Sequence, residues 1–274
     1  NAKQILSDKY SYTLYDALGR ITEVGQNAQG TVMTQAISRD EVSLNNWITG
    51  SSLREEITGT IYDISYSPLE TILDGNTALF QKNLRNRVSY TYVKEAASTE
   101  PWDAATFYSY DIPCNVDTLL QDYQTGAMAS AGNRFKKVVY NYDLISGKVN
   151  SVAYQPGWAD EFYHRYVYDA DNRLTEVYTS KDKIFWERDA AYDYYRHGPL
   201  ARTILGQQQV QGVDYAYTIQ GWLKGVNSTA VGDGSHDMGQ DGKTTGANSN
   251  IARDAYGFSL NYFTNDYTPI GNTN

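Results

Sequence analysis

Thirty-two acidic residues are enough to hide a pair of carboxylates for glycoside hydrolysis, which needs only two such groups several ångströms apart. Asp16, Asp111, Asp143 and Asp169, however, all stand in one setting: each follows a tyrosine and is followed after a short gap by Gly, Asn or Cys. A carboxylate repeated in one slot is turn chemistry, because an aspartate side chain bonds the backbone two residues on. No catalytic residue is expected. His164, His197 and His236 lie in unrelated contexts, without the spacing of a zinc site or a Ser/His/Asp arrangement. Cys114 is the single cysteine, so it forms no internal disulfide and lacks a basic neighbour in sequence that would make a reactive thiolate.

The stretch 233–242 is dense in Asp and Gly, yet it lacks the alternating ligands and closing Glu of an EF-hand and reads as a polar loop. No metal is expected, and no glycine-rich phosphate cradle implies a cofactor. Five tryptophans remain: Trp47, Trp102, Trp158, Trp186 and Trp222. Trp222 follows a glycine turn in a strand-like stretch and suits a half-buried sheet. Trp102 and Trp158 follow Pro101 and Pro156-Gly157, turn-like contexts that would expose them, and they are the sugar-stacking candidates.

The elements that carry these residues repeat. The run Tyr12-Thr13-Leu14-Tyr15-Asp16-Ala17-Leu18-Gly19-Arg20-Ile21-Thr22-Glu23-Val24 returns as Tyr166-Val167-Tyr168-Asp169-Ala170-Asp171-Asn172-Arg173-Leu174-Thr175-Glu176-Val177. Other copies contain Tyr110-Asp111, Tyr142-Asp143 with Gly147, Tyr192-Asp193-Tyr194, and Tyr215-Ala216-Tyr217 with Gly221-Trp222. Copies are expected near 10–24, 108–119, 136–154, 164–178, 191–206, 213–227 and 254–263. From Gly147 to Gly221 they recur every 23 to 26 residues or so, the length of a strand pair. Alternating tyrosines put rings on one strand face, while Gly19, Gly147 and Asn172 tolerate positive φ. At Tyr110 the turn holds Pro113 and Cys114, so Asn115 is expected to take the left-handed conformation.

Composition agrees: 25 Tyr and 22 Gly against 6 Pro favour strands and turns. A net charge of −9 argues against nucleic acid, and no apolar run approaches the roughly 20 residues of a membrane-spanning helix. Polar stretches near 38–53, 96–105, 125–133 and 228–250 read as loops, with Asp117–Gln124 and Pro68–Leu84 the helical candidates. The expected fold is all-β and antiparallel, one continuous repeat segment over 1–274.

The pattern Tyr-Asp-x-x-Gly/Asn-Arg-aliphatic-Thr resembles the YD repeat of the RHS family of bacterial polymorphic toxins. Agreement is fullest over 136–227, including His164-Arg165-Tyr166, Gly198-Pro199-Leu200-Ala201-Arg202 and Gly221-Trp222-Leu223-Lys224-Gly225. It continues through Asp254-Ala255-Tyr256-Gly257 and Asn265–Gly271, and is loose over 31–107. The resemblance implies a spiralling antiparallel ribbon that closes into a hollow shell around a C-terminal effector. Its partners would be the RHS core and effector of the same polypeptide, with export machinery, in some relatives the type IX route, taking it outside the cell or to its surface. No Asp-Pro-x-Gly block of the self-cleaving core is present, so the segment is expected to lie upstream of that core, cut from a longer chain and inert by itself. The alternative is a cell-surface adhesin or carbohydrate-binding protein built from the same repeats.

Overall fold

The computed structural model describes residues 2–4, 9–28, 31–50, 54–69, 79–95, 100–227 and 237–263. Contacts gather the chain into two compact units, Asn1–Asn141 with Ala153–Glu161, and Tyr142–Val152 with Phe162–Asn274.

The first unit carries β1 (Ala2–Gln4), β2 (Lys9–Tyr15), β3 (Ile21–Ala28), β4 (Arg54–Tyr62), β5 (Val88–Lys94), β6 (Ala104–Tyr110), β7 (Val116–Tyr123) and β8 (Phe135–Tyr142). Each is antiparallel to the strand before it. Strand β9 (Val149–Tyr154) follows. The second unit continues with β10 (Phe162–Tyr168), β11 (Leu174–Ser180), β12 (Glu187–Tyr194), β13 (Leu200–Leu205), β14 (Gln211–Tyr217), β15 (Leu223–Val226) and β16 (Phe258–Ser259), again paired antiparallel in chain order. The all-β expectation is met.

Period-two burial explains the strands. Ala105, Phe107 and Ser109 of β6 all point inward while their neighbours are half-buried, the alternation of a pleated strand. Asp117–Gln124, expected as a helix, lies almost wholly in β7, which buries Leu120 and Asp122 between β6 and β8. Ladder pairing with β6 along the strand and with β8 over Thr118–Asp122 takes up its backbone groups, and this outweighs a weak helical periodicity.

The stretch expected as a loop over 38–53 instead holds the end of α1 (Gln35–Arg39) and all of α2 (Glu41–Thr49). Asp40 caps α2 by accepting from the Ser43 N–H at 2.7 Å, as N-cap aspartates do. Leu44, Trp47 and Ile48 then share a face at helical spacing and pack on Tyr10 and Tyr12, with Trp47 edge-on to Tyr10. The Asn27 amide donates to the carbonyls of Trp47 and Ile48 at the helix end. Within 125–133 a short helix, α3 (Gly126–Ser130), interrupts the expected loop. Of the Pro68–Leu84 candidate, 70–78 lie outside the described residues, and 79–84 carry no helix.

A second core in the first unit collects Leu69, Leu79, Trp102, Ala105, Phe107 and Leu120 under Tyr66, Tyr90 and Tyr92. The interior of the second unit has a different make-up. Tyr163, Ala190 and Ile251 are buried there, but so are Arg202, Asp214, Asn227, Asp237, Asp241 and Asp254.

Candidate functional site

Two groups of residues have more order than a sheet alone requires: the repeat turns, and the buried acids of the second unit. In the turn after β2, one Asp16 oxygen accepts from the backbone N–H groups of Leu18 and Arg20, both at 2.9 Å, and the other accepts from Arg20 Nε at 2.7 Å. Asp169 repeats this with Asp171 and Arg173 at the same three distances. Gly19 and Asn172, in matching slots, have φ of 77° and 60°. Both carboxyls are held below the ordinary carboxylate range, first by the backbone N–H of Arg20 or Arg173. Asp143 is lowered likewise by the Ser146 N–H, with Gly147 at φ 69°.

At Asp111 the carboxylate accepts from the Asn115 N–H at 2.7 Å and its amide at 3.0 Å. The left-handed residue is Cys114 itself, at φ 90°, which corrects the assignment of that role to Asn115: the copy keeps its register and places the left-handed slot on the residue aligned with Gly19. Cys114 also gains a basic neighbour that its sequence context did not show, since Arg87 Nη2 reaches its sulfur. In the last hairpin Thr218 replaces Asp, its hydroxyl accepting from the Trp222 N–H at 3.1 Å, with Gly221 at φ 84°. Trp222 lies in the turn just before β15 and is half exposed, so it is not the sheet residue expected.

One copy was missed because it is split. Tyr62-Asp63 ends β4, and Asn86-Arg87-Val88 resumes the motif after an insertion. Asp63 N–H donates to the Arg87 carbonyl at 3.1 Å, the Asp63 carboxylate accepts from the Asn86 N–H, and Asn86 has φ 59°.

Five tyrosines join their part of the chain to an earlier hairpin. Tyr62 Oη donates to the Ile21 carbonyl, Tyr110 to Val88, Tyr168 to Val149, Tyr194 to Leu174 and Tyr262 to Leu223, all between 2.7 and 3.0 Å. The residue before each acceptor often covers the same ring: Arg20 over Tyr62, Arg87 over Tyr110 and Arg173 over Tyr194 at 4.2 to 5.3 Å, and Trp222 against Tyr262 at 5.3 Å. The hydroxyl bond explains why Tyr, and not Phe, recurs, and the cation–π and ring contacts hold the ring in place. In six hairpins the ladder shifts register just before this tyrosine, at Tyr15, Tyr62, Tyr110, Tyr168, Tyr194 and Tyr217, a bulge that turns the ring toward its partner.

The sugar-stacking candidates separate. Trp102 is 5% exposed in the first core, its indole N–H donating to Asp122 at 3.1 Å, so the expected open ring is a packed one. Trp158 is 40% exposed. His164 stacks on Tyr166 and His197 on Tyr195. His236 lies outside the described residues.

The buried acids converge on Arg202. Arg202 and Asp214 are opposite each other on β13 and β14. Arg202 Nη1 donates to Asp214 Oδ2 and Nη2 to Asp241 Oδ1. Asn227 ties Asp214 in through reciprocal bonds with its backbone, and holds the Tyr256 carbonyl at 2.8 Å. Carboxylate oxygens of Asp214, Asp241 and Asp254 lie within 4.8 Å of one another. Burial, reinforced by the charges of Asp241, Asp237 and Asp214, pushes the Asp254 carboxyl up to about 6, and burial raises Asp214 as well. The acids come from β14 and from the 237–254 segment; Asp237 and Asp241 lie in the Asp- and Gly-dense stretch visible in the sequence, but its spacing did not point to Asp214 or Asp254.

No family model matches the chain, and no curated protein matches it. Solved structures do. The TcdB2–TccC3 structure lacking its hypervariable C-terminal region superposes with a TM-score of 0.51 at 12% identity over 80% of this chain. The Photorhabdus luminescens Tc holotoxin pore gives 0.50 at 13% identity, also over 80%. In both, the match covers 9% of the other chain, so the similarity is one of fold, and this chain spans a small part of those lengths.

Proposed function

We propose that this chain is a wall segment of an RHS-type toxin shell, and that the polypeptide to which it belongs carries a C-terminal effector inside that shell. The observation that carries the reading is the interlocked repeat: the turn aspartates Asp16, Asp63, Asp111, Asp143 and Asp169 are used in their own turns, and five tyrosine hydroxyls bond back to an earlier hairpin. Such a ribbon is extensible by adding units, as repeat architectures are, and its repeated acids have no freedom left for acid–base chemistry. The fold shared with the TcdB2–TccC3 chains supports the same reading, as does the name of one of them, which refers to a hypervariable C-terminal region.

On this reading the segment is inert, its partners are the core and effector of its own polypeptide together with an export machine, and the protein works outside the cell or at its surface. The test is limited proteolysis of the longer polypeptide. A C-terminal region protected while the shell is folded, and cleaved once the shell is opened by denaturant, is the expected result. A C-terminal region cleaved at once in the native protein, or turnover of glycosides or esters abolished by Asp169→Asn, overturns it. Binding to a glycan array that is lost in Trp158→Ala would favour the adhesin reading instead.

A further inference from the structure

We propose that Asp214, Asp241 and Asp254, with the buried charge of Asp237 beside them, form a calcium site that fastens the 237–254 segment onto strands β13 and β14 of the second unit. This does not depend on the shell reading. All four residues are at least nine-tenths buried. Arg202 is the guanidinium that reaches them, and it occupies one oxygen each of Asp214 and Asp241. Four carboxylates against one guanidinium leave a buried surplus of negative charge, an expensive arrangement unless a cation or a proton offsets it.

The unpartnered oxygens show where the cation goes. Asp254 is 5% exposed, and no donor reaches either of its carboxylate oxygens; the same holds for Asp241 Oδ2 and Asp237 Oδ1. Asp254 thus aims a carboxylate with no hydrogen-bond partner into the group formed by Asp214 and Asp241, with ligand oxygens within 4.8 Å of one another. Two oxygens bound to one calcium at about 2.3–2.6 Å can be at most about 4.6–5.2 Å apart, whereas magnesium at about 2.0–2.1 Å draws them to about 4.2 Å or less. Separations of up to 4.8 Å are within calcium's reach, and an all-oxygen donor set of buried carboxylates suits it.

The backbone makes room for this grouping. A Cβ on Gly212 would run into the Arg202 guanidinium and Asp241 Oδ2, and one on Gly239 into the same guanidinium and Asp214 Oδ2. Only glycine lets the two chain segments close around these carboxylates. The segment itself needs such a clasp. Over 237–254 it forms turns and a single bridge, Gln211 to Ala252, too little pairing to hold it to the sheet.

The test uses the intact chain, stripped with EDTA and titrated with calcium chloride. Calorimetry should find one ion per chain, and the thermal midpoint should rise by about 5 °C when calcium exceeds its dissociation constant a hundredfold. Magnesium should do markedly less. Asp254→Asn should abolish the rise, while Asp169→Asn, in a turn, should keep it in full. If Asp254→Asn fails to fold, the ion count on the native chain decides: none bound at millimolar calcium overturns the site. A rise undiminished in folded Asp254→Asn also overturns it. So does an Asp254→Asn chain that is more stable than the parent while neither responds to calcium, since the offsetting charge would then be a proton.

Discussion

Asp122 in the first unit and Asp214 in the second begin alike and end differently. Both point inward from a strand, and both meet an arginine. Around Asp122 the partners close the group: Arg134 donates Nε at 2.6 Å and Nη2 at 2.9 Å, and the Trp102 indole adds a third bond. One carboxylate and one guanidinium sit beside an aromatic core with no surplus charge. Around Asp214 three further acids crowd a single guanidinium, and several oxygens lack donors. A buried ion pair that is internally complete needs only the protein. One that carries a surplus needs something more, and the second unit has this where the first has edge-on and tilted aromatic rings.

The sharpest break of that contrast is removal of the arginines. Arg202→Met strands two carboxylates among others and should cost about 3–5 kcal/mol in denaturant unfolding. Arg134→Met strands one, which keeps the indole bond, and should cost about 1–3 kcal/mol. Equal losses would mean that the two interiors tolerate charge alike.

At the turns the cost should come from the backbone. Asn172→Val should lose on the order of 1–3 kcal/mol, because a β-branched residue resists φ near 60°. Asn172→Gly should be nearly neutral, and matching midpoints for the two would remove the left-handed slot from the explanation. Smaller still is the tyrosine bond: Tyr194→Phe keeps the ring under Arg173 but forfeits the hydroxyl bond to Leu174, and should cost about 0.5–1.5 kcal/mol. No measurable change would leave ring packing as the tyrosine's whole role.

The smallest effect concerns acid. Asp16, Asp143 and Asp169 release their protons more readily when folded than at the ordinary value of 3.8. As pH falls, the unfolded chain therefore takes up protons first. The stabilisation is complete above that value and is lost as pH drops through the lower folded one. Asp169→Asn should flatten the acid limb of stability against pH, and an unchanged limb would show that the turn carboxylate contributes nothing.

The turns were legible in the sequence because each is local: Asp16, Gly19 and Arg20 lie within five residues, and their chemistry needs no distant partner. Trp102 was misplaced because its neighbours in sequence suggest a turn, whereas its burial is decided by Phe107 on β6 and Asp122 on β7. Helix α2 had a signal in Asp40 with Leu44, Trp47 and Ile48, obscured by the polar residues between them. The split copy at Tyr62 and Asn86 kept its residues but not its spacing. Of the acidic cluster only the stretch with Asp237 and Asp241 gave a local sign, and it read as a polar loop because Asp214 and Asp254 join it only after the 237–254 segment has folded back.

The bonds of the repeat tyrosines all run one way. In Tyr62, Tyr110, Tyr168, Tyr194 and Tyr262 the donor belongs to the later hairpin and the acceptor carbonyl to an earlier one. For these five bonds a hairpin emerging from the ribosome thus finds its docking carbonyl already built. Assembly can proceed from the N-terminus as a directional growth process, each unit serving as template for the next, so an early defect propagates forward while a late one spares what has already formed.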